Sequence, residues 1–226
     1  MRIAVKSLLV LASVLLVYMC YRSIMNPMEF DKEKDIRDKA VIARLVDIRK
    51  AQIAYKETNG VYASNFDELL KFVKEGSIEM ISKKGELTDE QLEKGLTEEK
   101  ALALTEEEAP NYGIEDYLEF KENFRRDTIF VNVLEHVFGK GYNVDSLAYV
   151  PNMKDTKFEM ESNIIKSKSG IEIPLFEART SYKTYLNGLN RQEIINLTKQ
   201  AEALNKYPGL KVGDKDSPNN NAGNWE

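Results

Sequence analysis

The chain opens on an almost unbroken apolar run, Ile3 through Tyr21, interrupted by Lys6, Ser7 and Ser13 and halted by Arg22. As a helix rising about 1.5 Å per residue this run is about 28 Å long, against a hydrocarbon layer of about 30 Å. The pattern predicts one membrane pass, with Lys6 near enough to its end for the stem to carry the ammonium back to the headgroups. Asn26-Pro27 is expected to break the helix.

The period then becomes that of a half-buried helix. From Asp31 to Thr58 there is neither Gly nor Pro, and Val41, Leu45, Ile48, Ala51 and Tyr55 recur at steps of three and four. Ile42, Val46 and Ile53 widen the stripe beyond a two-stranded coiled-coil seam, so the face is read as packed on its own domain. Asn59-Gly60 ends it, with glycine at the left-handed closing position. Ser64 is the expected cap of a short helix carrying Phe66, Leu69, Leu70, Phe72 and Val73. Ile78–Ile81 reads as a brief strand. Thr88 with Gln91 has capping-box spacing, and Thr97 and Thr105 precede acidic residues, so 87–108 reads as two short helices. With few apolar residues and an interior Gly95, they form a surface excursion over 83–110, closed by Pro110 and Gly113.

The second half alternates with a shorter period. Thr128–Val133, Ser146–Val150, Thr156–Ile165 and Ile171–Phe176 are rich in β-branched and aromatic residues and predict an antiparallel sheet. Pro174 restricts its strand to an edge or a bulge at that point. Asn190 with Glu193 opens a last helix through Leu204, and no periodicity follows Pro218. The fold class is therefore α+β: an N-terminal transmembrane helix, an amphipathic helix, then a domain with an antiparallel sheet and a C-terminal helix. Its expected divisions are an anchor over 1–24, one α+β domain over 25–206 and a flexible tail over 207–226.

Composition narrows the function. The 42% hydrophobic residues, with 11 Tyr and 9 Phe, suit a folded domain, and the lone cysteine allows no intrachain disulfide. Net charge is −5, and residues 83–122 alone hold 13 Asp/Glu against 5 Lys, a local −8. Such a surface repels phosphate backbones and argues against nucleic acid.

The end of the apolar run, Tyr18-Met19-Cys20-Tyr21-Arg22, lacks the small residues of a signal-peptidase site, and Met19 before Cys20 does not suit lipoprotein processing. A retained anchor is expected. The amino terminus, Arg2 and Lys6 precede the span, which by the positive-inside rule leaves the body exported: an inner-membrane, single-pass chain with its C-terminal domain in the periplasm.

The segment Ala54-Tyr55-Lys56-Glu57-Thr58-Asn59-Gly60-Val61-Tyr62, following an apolar and then an amphipathic helix and leading to Leu69-Leu70, resembles the type IV pilin and type II secretion pseudopilin layout. That resemblance covers about the first third of the chain. It implies a long N-terminal helix packed against a small antiparallel sheet, and filament-like subunit packing. The family's prepilin-peptidase site has no counterpart, because residues 1–17 contain neither Gly nor Glu. Arg126-Asp127-Thr128, the 142–147 segment Tyr-Asn-Val-Asp-Ser-Leu and Ala222-Gly223-Asn224-Trp225-Glu226 resemble single-pass envelope proteins of Bacteroidota-type bacteria, a likeness that carries no activity with it.

Candidate chemistry is sparse. His136 is the only histidine, which leaves no histidine metal cluster. Asp116, Glu119 and Glu122 share a helical face but read as a solvated surface, and Glu106-Glu107-Glu108 lies in no calcium-loop pattern. Gly139-Lys140-Gly141-Tyr142 lacks Walker spacing, and no serine sits in a Gly-x-Ser-x-Gly elbow. No cofactor is implied. The residues singled out for binding are Asn221, Trp225 and Glu226, a polar strip ending in an aromatic ring and a carboxylate. The expected role is a non-enzymatic, membrane-anchored scaffold of a secretion- or pilus-like envelope assembly. Its partners would be inner-membrane lipid and other membrane or periplasmic proteins. The alternative is a periplasmic module that recognises a peptide, glycan or protein through its sheet or tail.

Overall fold

The computed structural model describes the backbone of residues 2–226 and the side chains of residues 6–23 and 25–226. The side chains of Arg2 and Ile3 and the amino group of Met1, used above for orientation and for the start of the apolar run, lie outside that description.

A single helix, α1 (Arg2–Asn59), unites the apolar run and the amphipathic stripe; at about 1.5 Å per residue it is roughly 87 Å long. The break expected at Asn26-Pro27 does not occur, since Pro27 lies inside the helix. Proline removes one backbone donor, and the carbonyl it orphans belongs to exposed Ser23, where solvent or a headgroup can satisfy it. Residues 6–23 are exposed on every side, and by length and composition the helix can cross a membrane. Beyond Phe30 the predicted stripe is buried: Val41, Leu45, Ile48 and Ala51 are sealed from solvent. Ile53 stays exposed, so the buried face is narrower than expected. Gly60 closes the helix at φ +77°, donating its N–H to the Lys56 carbonyl (2.8 Å).

Helix α2 (Phe66–Glu75) is capped by Asn65, one residue past the expected Ser64, its side chain accepting from the Glu68 N–H. Strand β1 (Ser77–Lys84) follows, longer than expected. Next comes the excursion, with α3 (Asp89–Glu93), α4 (Glu98–Ala103) and α5 (Tyr117–Asn123). The Thr88/Gln91 capping box forms reciprocally and Thr97 caps α4, whereas Thr105 opens only a turn before a short 3₁₀ segment at Ala109–Tyr112. Strand β2 (Arg125–Asn132) returns antiparallel on β1, from Lys84 opposite Arg125 to Ser77 opposite Asn132. The inserted unit thus runs from 85 to 124 and buries its own core of Leu96, Ala101, Leu104, Ala109, Ile114 and Phe124. The expected limits of 83–110 stopped short because the residues that complete this core lie beyond Pro110.

Asn132 then caps α6 (Val133–Val137). The expected strand at Ser146–Val150 is instead a 3₁₀ turn over Val144–Ala148, with only Tyr149 bridging to Lys157. Ser146 donates its hydroxyl to the Asn143 carbonyl, and Val144, Leu147 and Ala148 are buried at helical spacing; the local bond competes with the ladder and wins. Strands β3 (Glu159–Lys166) and β4 (Glu172–Ser181) form a hairpin, followed by α7 (Tyr182–Tyr185) and α8 (Arg191–Ala203), the latter capped by Asn190 as expected. A last strand, β5 (Gly209–Gly213), completes a sheet ordered β3-β4-β5. β5 pairs with β4 only from Glu177 onward, so Pro174, opposite Ile164, has a neighbour on one side alone, as its missing N–H requires. The fold is thus α+β with two antiparallel sheets, and the main core lies between α1, α2 and the inner face of β4 and β5.

Candidate functional site

Period-2 alternation divides the three-stranded sheet into two chemistries. Phe176, Ala178, Leu210 and Val212 belong to the core that includes α1. The alternate residues form an ion-pair lattice. Arg179 donates through Nε to Glu159 (2.8 Å), through Nη2 to Glu161 (2.8 Å) and through Nη1 to Glu177 (2.6 Å). Lys211 reaches Glu177 (2.9 Å) and Asp214 (3.1 Å), and Lys215 pairs with Glu161. Glu177 is 5% exposed and tolerates burial because two cations share it. Hydrogen bonding to Lys215 holds the Glu161 carboxyl below the usual carboxylate range. Each carboxylate of the lattice accepts from a cation, so it staples strands together rather than presenting a free acid or base.

The C-terminal residues join the same sheet. The tail expected to be flexible over 207–226 instead holds β5 and folds back over it. Gly213 N–H donates to Ala222 O, Asn224 N–H to Lys211 O, and the Asn224 side chain accepts from Lys211 N–H and donates to Gly209 O. Short local sequence hid this strand, because its pairing partners on β4 lie far upstream, from Ser181 opposite Gly209 to Glu177 opposite Gly213. Asn221, Trp225 and Glu226 are brought together, but against the chain's own helix. Arg49 on α1 donates to Glu226 Oε1 (2.7 Å) and to the Asn221 carbonyl (3.2 Å), while the Asn221 side chain bonds the Tyr62 hydroxyl (2.9 Å). Trp225 is half-buried on the main core, and its indole covers Gly223 so closely that a Cβ there would approach within 3.0 Å of the ring. The arrangement is a latch from the chain end to α1, not an open capture strip.

Three hydroxyl-to-carboxylate bonds tie α1 to its surroundings: Tyr185 to Asp38 (2.6 Å), Tyr142 to Asp47 (2.8 Å) and Tyr55 to Glu68 (2.5 Å). Tyr142 thereby gives Gly139-Lys140-Gly141-Tyr142 a structural task. Gln52, fully buried on α1, accepts from the Ala63 N–H (2.9 Å) and donates to the Ala63 carbonyl (3.0 Å).

His136 lies exposed on α6, and Asp116 is the cap of α5, accepting from the Glu119 N–H (2.8 Å). Among the described residues, no three His, Cys, Asp or Glu are gathered to hold a metal ion. Among the described residues, two further surfaces lie open to solvent. The β1–β2 ribbon is open on both faces: Ile81 and Phe130 are 65% and 67% exposed on one, and Met80 opposes Ile129 on the other. Near the end of the apolar run, a cleft of about 330 Å³ is lined by Arg22, Asn26, Glu29, Phe30 and Glu33 of α1 and by Leu189 and Asn190 of the α7–α8 loop. Arg49, Gln52, Arg179 and Glu177 escaped sequence reading, since each is defined by partners remote in the chain. Compared with family models, curated proteins and solved structures, the chain matches none.

Proposed function

We propose that this chain is a non-enzymatic, membrane-anchored scaffold component of a bacterial envelope assembly of secretion- or pilus-like type, with α1 serving as both anchor and spine. The reading is carried by one feature: α1 continues without a break from eighteen exposed, largely apolar residues at 6–23 into a stripe that forms the main core of the α+β body. A helix that ended at the membrane surface would leave the body on a loose tether. One that runs through fixes the body's orientation to the bilayer, which suits a part that must present surfaces to neighbours. The pilin-like layout of the first third points the same way. The carboxylates of the sheet and Asp116 are engaged in ion pairs and a helix cap, a use that holds the body together. In this reading the body lies in the periplasm and the exposed ribbon, with its acidic inserted unit, offers itself to other envelope proteins.

The test is fractionation of cells expressing the full chain. The protein is expected in the membrane pellet after a carbonate wash, with a C-terminal tag cleaved by protease once the outer membrane is opened. Mild-detergent extraction with cross-linking should recover a larger complex. A protein released by carbonate, or a tag protected until the inner membrane is lysed, overturns the reading.

A further inference from the structure

We propose that the cleft between α1 and the α7–α8 loop binds the headgroup of a zwitterionic phospholipid bearing a primary ammonium, with Arg22 on the phosphate and Glu29 on the ammonium. The inference rests on the anchor reading, since it is the membrane span that sets the height of the cleft. Residues 22, 26, 29, 30 and 33 stand at helical spacing on one face of α1, and Leu189 and Asn190 form the opposite wall. That wall is fixed, because Arg37 Nη1 donates to the carbonyls of Tyr185 (3.1 Å) and Asn187 (2.9 Å) just before it.

The axial order of charge matches a bilayer surface. Arg22 ends the apolar run, and its Nη1 donates to the Tyr18 hydroxyl (3.2 Å), which holds the guanidinium at the level of the boundary, where phosphate lies. Glu29 is two turns farther out, about 10 Å along the axis, and helical side chains tilt back toward the N-terminus. A carboxylate about 10 Å out from the guanidinium stands at the outer margin of the headgroup layer, which extends about 5–8 Å beyond the hydrocarbon, where an ammonium projecting outward from the phosphate reaches it. Asn26 lies between the two charges and Glu33 at the outer rim. Neither Glu29 nor Glu33 makes an ion pair with any described residue, so both carboxylates remain available to a lipid ammonium. A quaternary ammonium has no N–H to donate to them, and an anionic glycerol headgroup offers only neutral hydroxyls, with no cation to offset its phosphate beside two carboxylates.

The test uses the full chain purified in mild detergent, with equal additions of phosphatidylethanolamine, phosphatidylcholine and phosphatidylglycerol of one acyl composition, read by native mass spectrometry. The ethanolamine lipid is expected to be retained about fivefold over the others, the scale of a solvent-exposed charge pair. The preference should vanish in Glu29→Gln/Glu33→Gln, and Arg22→Gln should weaken retention, both with the melting temperature unchanged. Equal retention of the three lipids, or a preference that survives Glu29→Gln/Glu33→Gln, overturns the proposal. Displacement of the lipid by an equal concentration of glycerophosphoethanolamine overturns its assignment to a lipid rather than a free headgroup. A carbonate wash of vesicles containing the same protein separates the two readings: release defeats the anchor, whereas retention without lipid preference defeats only the headgroup assignment.

Discussion

Gln52 sits at a position of α1 where the stripe would accept an aliphatic residue, yet its amide is matched donor for acceptor to the backbone of Ala63. Because this bond pins the chain just after Tyr62, removing it leaves a buried N–H and a buried C=O with no partner. Gln52→Ala is expected to cost about 2–6 kcal/mol, summing two unsatisfied groups at roughly 1–3 kcal/mol each, as read by urea unfolding. Loss of less than about 1 kcal/mol would mean that water takes over the bonds. The same reasoning applies to Gly223, where the indole of Trp225 occupies the space of a side chain. Neither residue announces itself in sequence, since a helical glutamine and a glycine in a polar terminus are both unremarked until their distant partners are known.

At the scale of elements, the seam along α1 combines a buried apolar stripe with phenol-to-carboxylate bonds. Ile48→Asp places a charge at a fully buried position of that stripe and should destabilise the body by at least about 3 kcal/mol, measured by thermal or urea melts. An unchanged melting temperature would show that the stripe is not core. The phenols predict a pH response. Hydrogen bonding to Glu68 pushes Tyr55 up to about 12, while burial, reinforced by Asp38, raises Tyr185, and burial with Asp47 raises Tyr142. A folded value above the ordinary value near 10 means that the stabilisation is whole below about pH 10 and is lost as pH rises through the shifted values. Thermal melts should therefore be level from about pH 7 to 9 and fall progressively above about pH 10, in step with the tyrosinate absorbance. Tyrosine ionisation near pH 10 without any loss of stability would contradict the seam. The stripe itself was legible from periodicity, and so was the capping of α3, α4 and α8. The strand expected at Ser146–Val150 failed because β-branched composition does not say whether a partner edge is within reach.

For the whole molecule, the insertion 85–124 packs on itself, and β1 and β2 close at the adjacent pair Lys84 and Arg125. Replacing 85–124 with a two-residue Asn-Gly turn should leave the body folded, because that loop length suits an antiparallel ribbon and the main core loses no member. Circular dichroism and a melting temperature within a few degrees of the intact chain are the expected result, and an unfolded product would show that the inserted unit supports the body. The residue pattern alone settles what depends on neighbours within a few residues: the apolar run of α1, its buried stripe, the caps of α3, α4 and α8, the acidic excursion and the α+β class. These follow from side-chain periodicity and local hydrogen bonding, which repeat at short range. Three-dimensional packing was needed to show that Pro27 is carried within one continuous helix and that residues 207–226 supply β5 and a latch on Arg49. It also decided that the carboxylates of β3 and β4 are spent on Arg179, Lys211 and Lys215, and that Arg22 and Asn190 share a cleft. The helix through Pro27 turns on whether the carbonyl freed at Ser23 meets solvent, and the other features turn on groups remote in the chain, up to 177 residues apart for Arg49 and Glu226, whose meeting is set by how the elements pack.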